Sequence, residues 1–355
     1  MEHCTALRKV LPANIDAAMV LSEHNRFYLT GFAATDGILL MSRKRALLLA
    51  DSRYIEAARE QASGCEVVLM QKPIEQMKSF FKEEDAHVVG IESRELPVAE
   101  WNRFREQLPG FAIDAGDELN EAILQLRMVK GPEELGAIRR AQRITDDAFK
   151  HILPFLKPGA MERDIALEIE YFMRKQGATG PSFDLIVVSG ENSSRPHGVP
   201  GTRKLQSGDF VTMDTGAIVD GYCSDMTRTV AIGHATEEMR KVYRTVLAAQ
   251  LAAEKALAPG KTGAQVDKVA RDIIDDAGYK GCFGHGLGHS VGLQIHEEPH
   301  LSPTGNEVLL PGMMMTVEPG IYLEGQMGVR IEDLTVLTED GCKILTESPK
   351  ELLIL

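Results

Sequence analysis

Two stretches of this chain set acidic residues inside runs that read as strands, and this conflict constrains the fold more than any other feature. In FVTMDTGAIVDGYCSDMTRTVAIG, residues 210–233, two β-rich runs flank Asp220-Gly221, the strongest short hairpin signal. With that dipeptide at the turn centre, Val219 faces Tyr222 and Asp225 falls opposite Gly216. Asp214 lies two residues along on the same sheet face, so the two Cα atoms are diagonal neighbours roughly 7–8 Å apart. Gly216 is expected to remove the side chain that would stand between them. Two carboxylates aimed at one spot repel unless a proton or a cation sits there. Each acid lies within an apolar strand away from the turn, which disfavours simple solvation on an exposed face.

The stretch MMMTVEPGIYLEGQMGVRIEDLTVL, residues 313–337, repeats the arrangement with Glu318 and Glu332 on either side of a glycine-rich connection. Arg330 has the strand parity of Glu332 and points to the same face, where it would hold that carboxylate in place. Between the two acidic pairs, HGLGHSVGLQIHE (285–297) sets His285, His289 and His296 among glycines. Rings beside bare backbone mark a place where a ligand approaches closely.

With one of those rings added, the set becomes Asp214, Asp225, His289, Glu318 and Glu332. Four carboxylates and one neutral imidazole carry a charge of −4, enough to neutralise two divalent cations. Mostly oxygen donors with one nitrogen suit manganese, cobalt or zinc better than a thiolate-preferring metal. Two such ions can share a water, depress its pKa and clamp a tetrahedral intermediate, which is hydrolytic chemistry. A competing motif fails. His296-Glu297-Glu298-Pro299-His300 matches H-E-x-x-H, but the helix this motif needs would carry Pro299 in its interior at a cost of about 3 kcal/mol or more. GHGLGH likewise lacks the third glycine of a dinucleotide fingerprint, because His289 occupies that position.

Composition narrows the class. At 355 residues, two domains are the natural expectation. A net charge of −13 disfavours nucleic acid and anionic membranes as partners. Five scattered cysteines without a C-x-x-C pair read as free thiols of a reducing cytoplasm. No run of about 18 apolar residues is present to span a membrane, and the N-terminus lacks a signal-peptide pattern.

Along the first part of the chain, DAAMVLS, GILLMS, RALLLAD, CEVVLM and HVVGIE read as strands, and YIEAAREQAS and IEQMKSFFKEE as helices. That alternation implies an α/β domain with a largely parallel or mixed sheet. A boundary falls near QLRMVKGPEEL. Pro132, Glu133 and Glu134 suit the first turn of a helix, and Leu135, Ile138, Ile144, Ala148, Phe149 and Ile152 give it a core-facing stripe. Further helices are expected at about 162–176, 237–258 and 263–277, with strands dominating elsewhere.

SRPHG, MDTGA, SDMTRT, GHGLGHSVGLQIHE, TVEPGIY and VRIED, in this order and spacing, resemble the pita-bread metallopeptidases, in particular their proline-specific aminopeptidase P and prolidase branch. NRFYLTGF and LLADSRY resemble the creatinase-type N-terminal domain. The resemblance implies an α+β pita-bread catalytic domain over residues 127–355 and a creatinase-like α/β domain over 1–126. It implies two divalent metal ions, manganese first and cobalt or zinc next, held by Asp214, Asp225, His289, Glu318 and Glu332. Asp225 and Glu332 would bridge the ions, Asp214 would bind one of them, and His289 and Glu318 would complete the other. Glu318 would also shuttle a proton from the bridging water to the leaving nitrogen. His197 and His296 would hold the scissile carbonyl and its oxyanion, His285 would line the same pocket, and Tyr322 and Arg330 would support it. The implied activity is that of an Xaa-Pro aminopeptidase acting on peptides with proline in second position. A dipeptide-restricted prolidase is the alternative, with methionine aminopeptidase-like activity behind both. The resemblance further implies a cytoplasmic homodimer.

Overall fold

The computed structural model describes residues 3–355, and its packing divides them into two compact units that meet in sequence at Arg127 and Met128. In the first unit, α1 (His3–Val10), β1 (Ala17–Val20) and α2 (Glu23–Thr30) precede the hairpin of β2 (Ile38–Ser42) and β3 (Ala46–Ala50). Then come α3 (Ile55–Gln61), β4 (Glu66–Leu69), α4 (Pro73–Glu83) and β5 (Val88–Ile91). The unit closes with α5 (Val98–Gln107), β6 (Ala112–Asp114) and α6 (Glu118–Met128).

Its sheet runs β4-β3-β2-β1-β5-β6. The β1–β2 and β2–β3 pairs are antiparallel and the other three parallel, which is the mixed sheet expected. Every residue of β1 and β3 is buried, so these strands read as continuous apolar runs rather than alternating ones. Met19, Leu40, Leu49, Phe80, Phe81 and Val89 form the centre of the core. The sequence pattern did not show α2, whose residues EHNRFYLT have no clear apolar period. It is fixed instead at its ends, by the Ser22 side chain accepting from Asn25 N and by Gly31 in the left-handed region at φ 72°. His3 begins α1 and stacks on Tyr28 at 4.1 Å.

The second unit begins with α7 (Pro132–Ile152) and α8 (Glu162–Lys175). The strands β7 (Gly180–Pro181), β8 (Ile186–Ser189), β9 (Phe210–Thr215), β10 (Ala217–Val219), β11 (Tyr222–Cys223) and β12 (Met226–Ala231) follow. After α9 (Glu237–Ala256) and α10 (Gly263–Ile274) come β13 (Gly288–Ser290) and β14 (Glu297–Leu301). The last strands are β15 (Met314–Val317), β16 (Gly320–Leu323), β17 (Met327–Arg330), β18 (Asp333–Leu337) and β19 (Cys342–Ile344). As expected, Pro132 opens α7, and Glu134 accepts from Gly131 N at 2.7 Å to close its first turn. Thr262 and Gln265 form a capping box at α10.

Strand parity decides which side chains reach the site. In β9, Val211 and Met213 pack into a core with Phe149, Ile152, Ile165, Ile169 and Met173 of α7 and α8. Each aliphatic side chain buried there contributes about 1.5–3 kcal/mol. The alternate residues Thr212 and Asp214 therefore face the other way. In β12, Met226 and Val230 belong to the same core, which turns Asp225, Thr227 and Thr229 toward the face of Asp214. Apart from Arg228, which is buried and paired with Asp333, the sheet is thus apolar beneath and polar above.

Candidate metal centre

The first acidic pair sits where the hairpin register puts it. Asp220 and Gly221 occupy the turn at φ 51° and 82°, Val219 faces Tyr222, and Asp214 faces Thr227. Gly216 has a different reason from the one the sequence implied. A Cβ there would lie 2.1 Å from the Ser224 carbonyl oxygen, so glycine makes room for the partner backbone rather than for the two carboxylates. The second pair belongs to a bent hairpin. Val317 faces Asp333 in β15 and β18, and Gly320 faces Arg330 in β16 and β17. Glu318 and Glu332 stand at the bend between these segments.

His289 enters from β13. Its backbone N donates to Thr316 Oγ1 at 3.0 Å, and its Nδ1 lies 3.0 Å from Ser290 O. With Nδ1–H spent on that carbonyl, Nε2 is the nitrogen turned toward the acids, 3.3 Å from Glu318 Oε1 and 3.6 Å from Asp225 Oδ2. Donor atoms of Asp225, His289 and Glu332 all lie within 4.8 Å of one another, and all three residues are buried.

The charges show what such crowding does. Burial, then repulsion from Glu332, Asp214 and Glu318, holds Asp225 well above the usual carboxylate range. Burial and the charges of Glu318 and Asp214 do the same to Glu332. Burial also opposes ionisation of Glu318, but the hydrogen bond and charge of His289 prevail and bring it down to about 2. His289 is raised in return: burial works against its protonation, and the contact with Glu318 overcomes it. Among the described residues, Asp214 Oδ1, Asp225 Oδ1 and Glu332 Oε1 are buried with no hydrogen-bond partner. Buried unsatisfied carboxylate oxygens are costly, and three of them beside one imidazole fit a divalent cation. The donor set passes that test.

Around this cluster lies a cavity of about 680 Å³. His197, His285, His296 and Arg330 line it with the five residues above. Arg330 corrects one expectation. Its guanidinium reaches Asp214 Oδ2 at 2.5 Å rather than Glu332, and also contacts Tyr322 OH at 2.8 Å and Thr227 Oγ1 at 3.0 Å. Glu332 is held instead by the Thr227 hydroxyl, at 2.8 Å. Tyr322 OH lies 2.9 Å from His285 Nε2, which continues the chain from Arg330. Burial pushes Tyr322 up to about 12 and lowers His285. The His296 ring lies edge-on to His289 at 4.5 Å between centroids, and burial and the His289 charge lower its pKa. The H-E-x-x-H segment is strand, not helix: β14 contains Glu297, Glu298, Pro299 and His300.

With this geometry in view, the pattern of metallopeptidase family M24 matches residues 136–339, and that of the creatinase/prolidase N-terminal domain matches residues 5–129. The chain belongs to metallopeptidase family M24. An Xaa-Pro dipeptidase of Pyrococcus horikoshii is 36% identical over 343 residues, covering 96% of this chain and 95% of that protein. The solved structure of an Xaa-Pro dipeptidase from Bacillus anthracis superposes with a TM-score of 0.95 at 42% identity, covering 100% of this chain and 99% of that one. The X-Pro aminopeptidase structure from Thermotoga maritima gives 0.89 at 35% identity, with 96% of each chain covered. The pita-bread fold with a creatinase-type N-terminal unit is therefore the architecture of this M24 protein, and the three relatives just described carry Xaa-Pro peptidase names. No helix among the described residues is long and apolar enough to cross a membrane.

Sequence reasoning missed several residues that hold this M24 site together. Thr227 stands two residues after Asp225, and Thr316 two before Glu318. Each therefore shares its acid's strand parity, a signal that was available. Thr227 and Thr316 bond Glu332 and Glu318 respectively. Lys130 and Glu297 carried no such signal.

Proposed function

We propose that Asp214, Asp225, His289, Glu318 and Glu332 hold two divalent cations, manganese by preference, in a catalytic unit spanning residues 127–355 that follows in sequence an N-terminal unit spanning 1–126. The reaction is hydrolysis of the bond between an N-terminal residue and proline. The observation that carries the reading is the buried cluster of Asp225, His289 and Glu332, with unpartnered oxygens on both acids and on Asp214. Asp225 and Glu332 would be shared between the ions, Asp214 would serve one, and His289 and Glu318 the other. When bound, such cations supply Lewis acidity and a nucleophilic water at neutral pH.

The chain's own groups do the rest. Glu318 takes a proton from the attacking water as the oxygen–carbon bond forms, and delivers it to the prolyl nitrogen as the carbon–nitrogen bond breaks. That nitrogen has no N–H, so recognition falls on the carbonyl. His197 and His296 line the cavity and would donate to the carbonyl oxygen as negative charge develops on it. The lowered pKa of His296 keeps it neutral near pH 7, with one N–H to give. Arg330 fixes Asp214, and through Tyr322 it fixes His285.

Aminopeptidase action on longer peptides is the favoured form. Among the described residues lining the cavity, Arg330 is the only lysine or arginine, and it is committed to Asp214. A dipeptide's free carboxylate would meet histidine rings and backbone N–H groups there rather than a free guanidinium or ammonium. The second reading, an Xaa-Pro dipeptidase, is favoured by the naming of the relatives from Pyrococcus horikoshii and Bacillus anthracis. Metal-stripped protein reconstituted with manganese, cobalt or zinc and assayed on Ala-Pro and Ala-Pro-Ala separates the two. Cleavage of both peptides is expected. Cleavage of Ala-Pro alone would overturn the aminopeptidase form, and cleavage of neither with any metal would overturn the Xaa-Pro reading.

A further inference from the structure

Glu162 is the first residue of α8, and its exposure is 0%. A carboxylate so deeply buried is expensive unless every oxygen is satisfied. Here Oε1 accepts from Ser189 N at 2.8 Å, Ser189 Oγ at 2.7 Å and Asn192 Nδ2 at 3.3 Å. Oε2 accepts from Gly201 N at 3.1 Å. The two oxygens thus grip opposite ends of one segment. Ser189 is where the chain leaves β8, and Gly201 is where the segment ends. Between them lies His197, exposed at the wall of the cavity.

The backbone of Glu162 adds to the grip, with Glu162 N donating to Arg203 O and Arg163 N to Gly201 O, each at 3.1 Å. Arg203 in turn donates to Ser189 Oγ at 2.7 Å and to Asp209 Oδ2 at 2.5 Å. The middle of the segment is docked from the other side. Gly328 N donates to Ser193 Oγ at 2.8 Å, and Arg330 reaches Pro196 O at 3.2 Å. A carboxylate can accept at both oxygens. A glutamine has one acceptor and one donor there, and must leave one end of the segment without its partner.

We propose that Glu162 is a positioning residue for catalysis: it closes the neck of residues 189–201 and thereby sets where His197 meets the substrate carbonyl. This rests on the role of His197 given above. Nothing about Glu162 touches substrate or the five acid and imidazole ligand candidates, so metal binding should not depend on it.

The test compares Glu162→Gln, His197→Ala and the double variant, all manganese-loaded, on Ala-Pro-Ala. Glu162→Gln should lower kcat roughly 10–100-fold, the scale on which a misplaced group costs rate, with manganese affinity by calorimetry kept within about twofold. Hydrogen exchange of the 189–201 amides should speed up in the same variant. The double variant should fall no further than His197→Ala, because the two residues act through one contact. Multiplied losses in the double variant, or an unchanged kcat in Glu162→Gln, would overturn the inference and leave the proposed activity standing. An unchanged kcat in His197→Ala would sink both the role of His197 and this inference. Where Glu162→Gln fails to fold, Ser189→Ala removes one donor to Glu162 and one acceptor of Arg203 while keeping the carboxylate. Faster exchange across 190–201 and a several-fold loss of kcat would support the proposal, and no change in either would refute it.

Discussion

Lys130 and Glu297 are buried to 1% and 4% side-chain exposure and meet at 3.0 Å between Nζ and Oε2. Lys130 also donates to Ser290 Oγ at 3.2 Å, and Glu297 Oε1 accepts from Gln294 N at 3.1 Å. The pair ties the lead-in to α7 to the residue after His289 and the residue after His296. Removing one partner breaks a buried ion pair, which costs about 3–5 kcal/mol, whereas an exposed pair is worth about 0–1 kcal/mol. Lys130→Met is therefore expected to destabilise the second unit by about 3–5 kcal/mol. At about 2–4 °C per kcal/mol for a unit of this size, its melting transition should drop by roughly 6–20 °C. Replacing both residues by methionine removes both buried charges and should recover most of that loss. Calorimetry on the metal-free wild type, both single variants and the double variant closes the cycle. A Lys130→Met shift corresponding to less than about 1 kcal/mol, or single penalties that simply add in the double variant, would refute the claim that a desolvated pair anchors these segments.

Three further outcomes follow from the same structure. Asp225→Asn should take up far less divalent metal and lose well over about a hundredfold of activity, since even groups that only support metal ligands cost 10–100-fold. Its metal-free fold should persist, because one source of repulsion with Glu332 is gone; full activity would refute the ligand assignment. Gly288→Ala should lose about 1–3 kcal/mol and bind metal more weakly, because its Cβ would sit 2.1 Å from the Thr316 carbonyl oxygen beside His289. Unchanged manganese affinity by calorimetry would show that His289 is not held by that contact. Asp16 accepts from Val88 N and His87 N, and these bonds lower its pKa. Its contribution to stability is then complete above the unfolded value and is lost as pH falls through the lower folded value. The urea midpoints of wild type and Asp16→Asn should accordingly differ at about pH 6 and draw together as pH falls below the ordinary aspartate value of about 3.9; a gap that widens on acidification would reverse the assignment.

Much of the catalytic unit could be read in advance wherever a signal was local. The Asp220-Gly221 turn sets the pairing from Val219–Tyr222 out to Asp214–Thr227, because a two-residue turn leaves the strands one register. The α7 stripe and the alternating face of β9 were equally legible. The short helix α2 was not, because its stability comes from its caps and from the Glu92 carboxylate, which accepts from Ser22 Oγ at 2.7 Å and Asn25 Nδ2 at 2.6 Å. Arg330 shows the limit at the site. Parity placed it on the correct face, but it bonds Asp214 rather than the nearby Glu332, since side-chain reach across strands has no counterpart in sequence spacing.

The sequence by itself determined which acids stand in the two hairpins and which face of each strand they occupy, because alternation and turn geometry are properties of a few neighbouring residues. The tertiary structure decided that two hairpins roughly a hundred residues apart would meet, with Thr227 of one reaching Glu332 of the other. It also decided which buried partners would hold them there. Glu162, Lys130 and Glu297 look like ordinary charged residues in the chain, and only burial, by removing the water that would otherwise satisfy them, turns them into fixed points of the site.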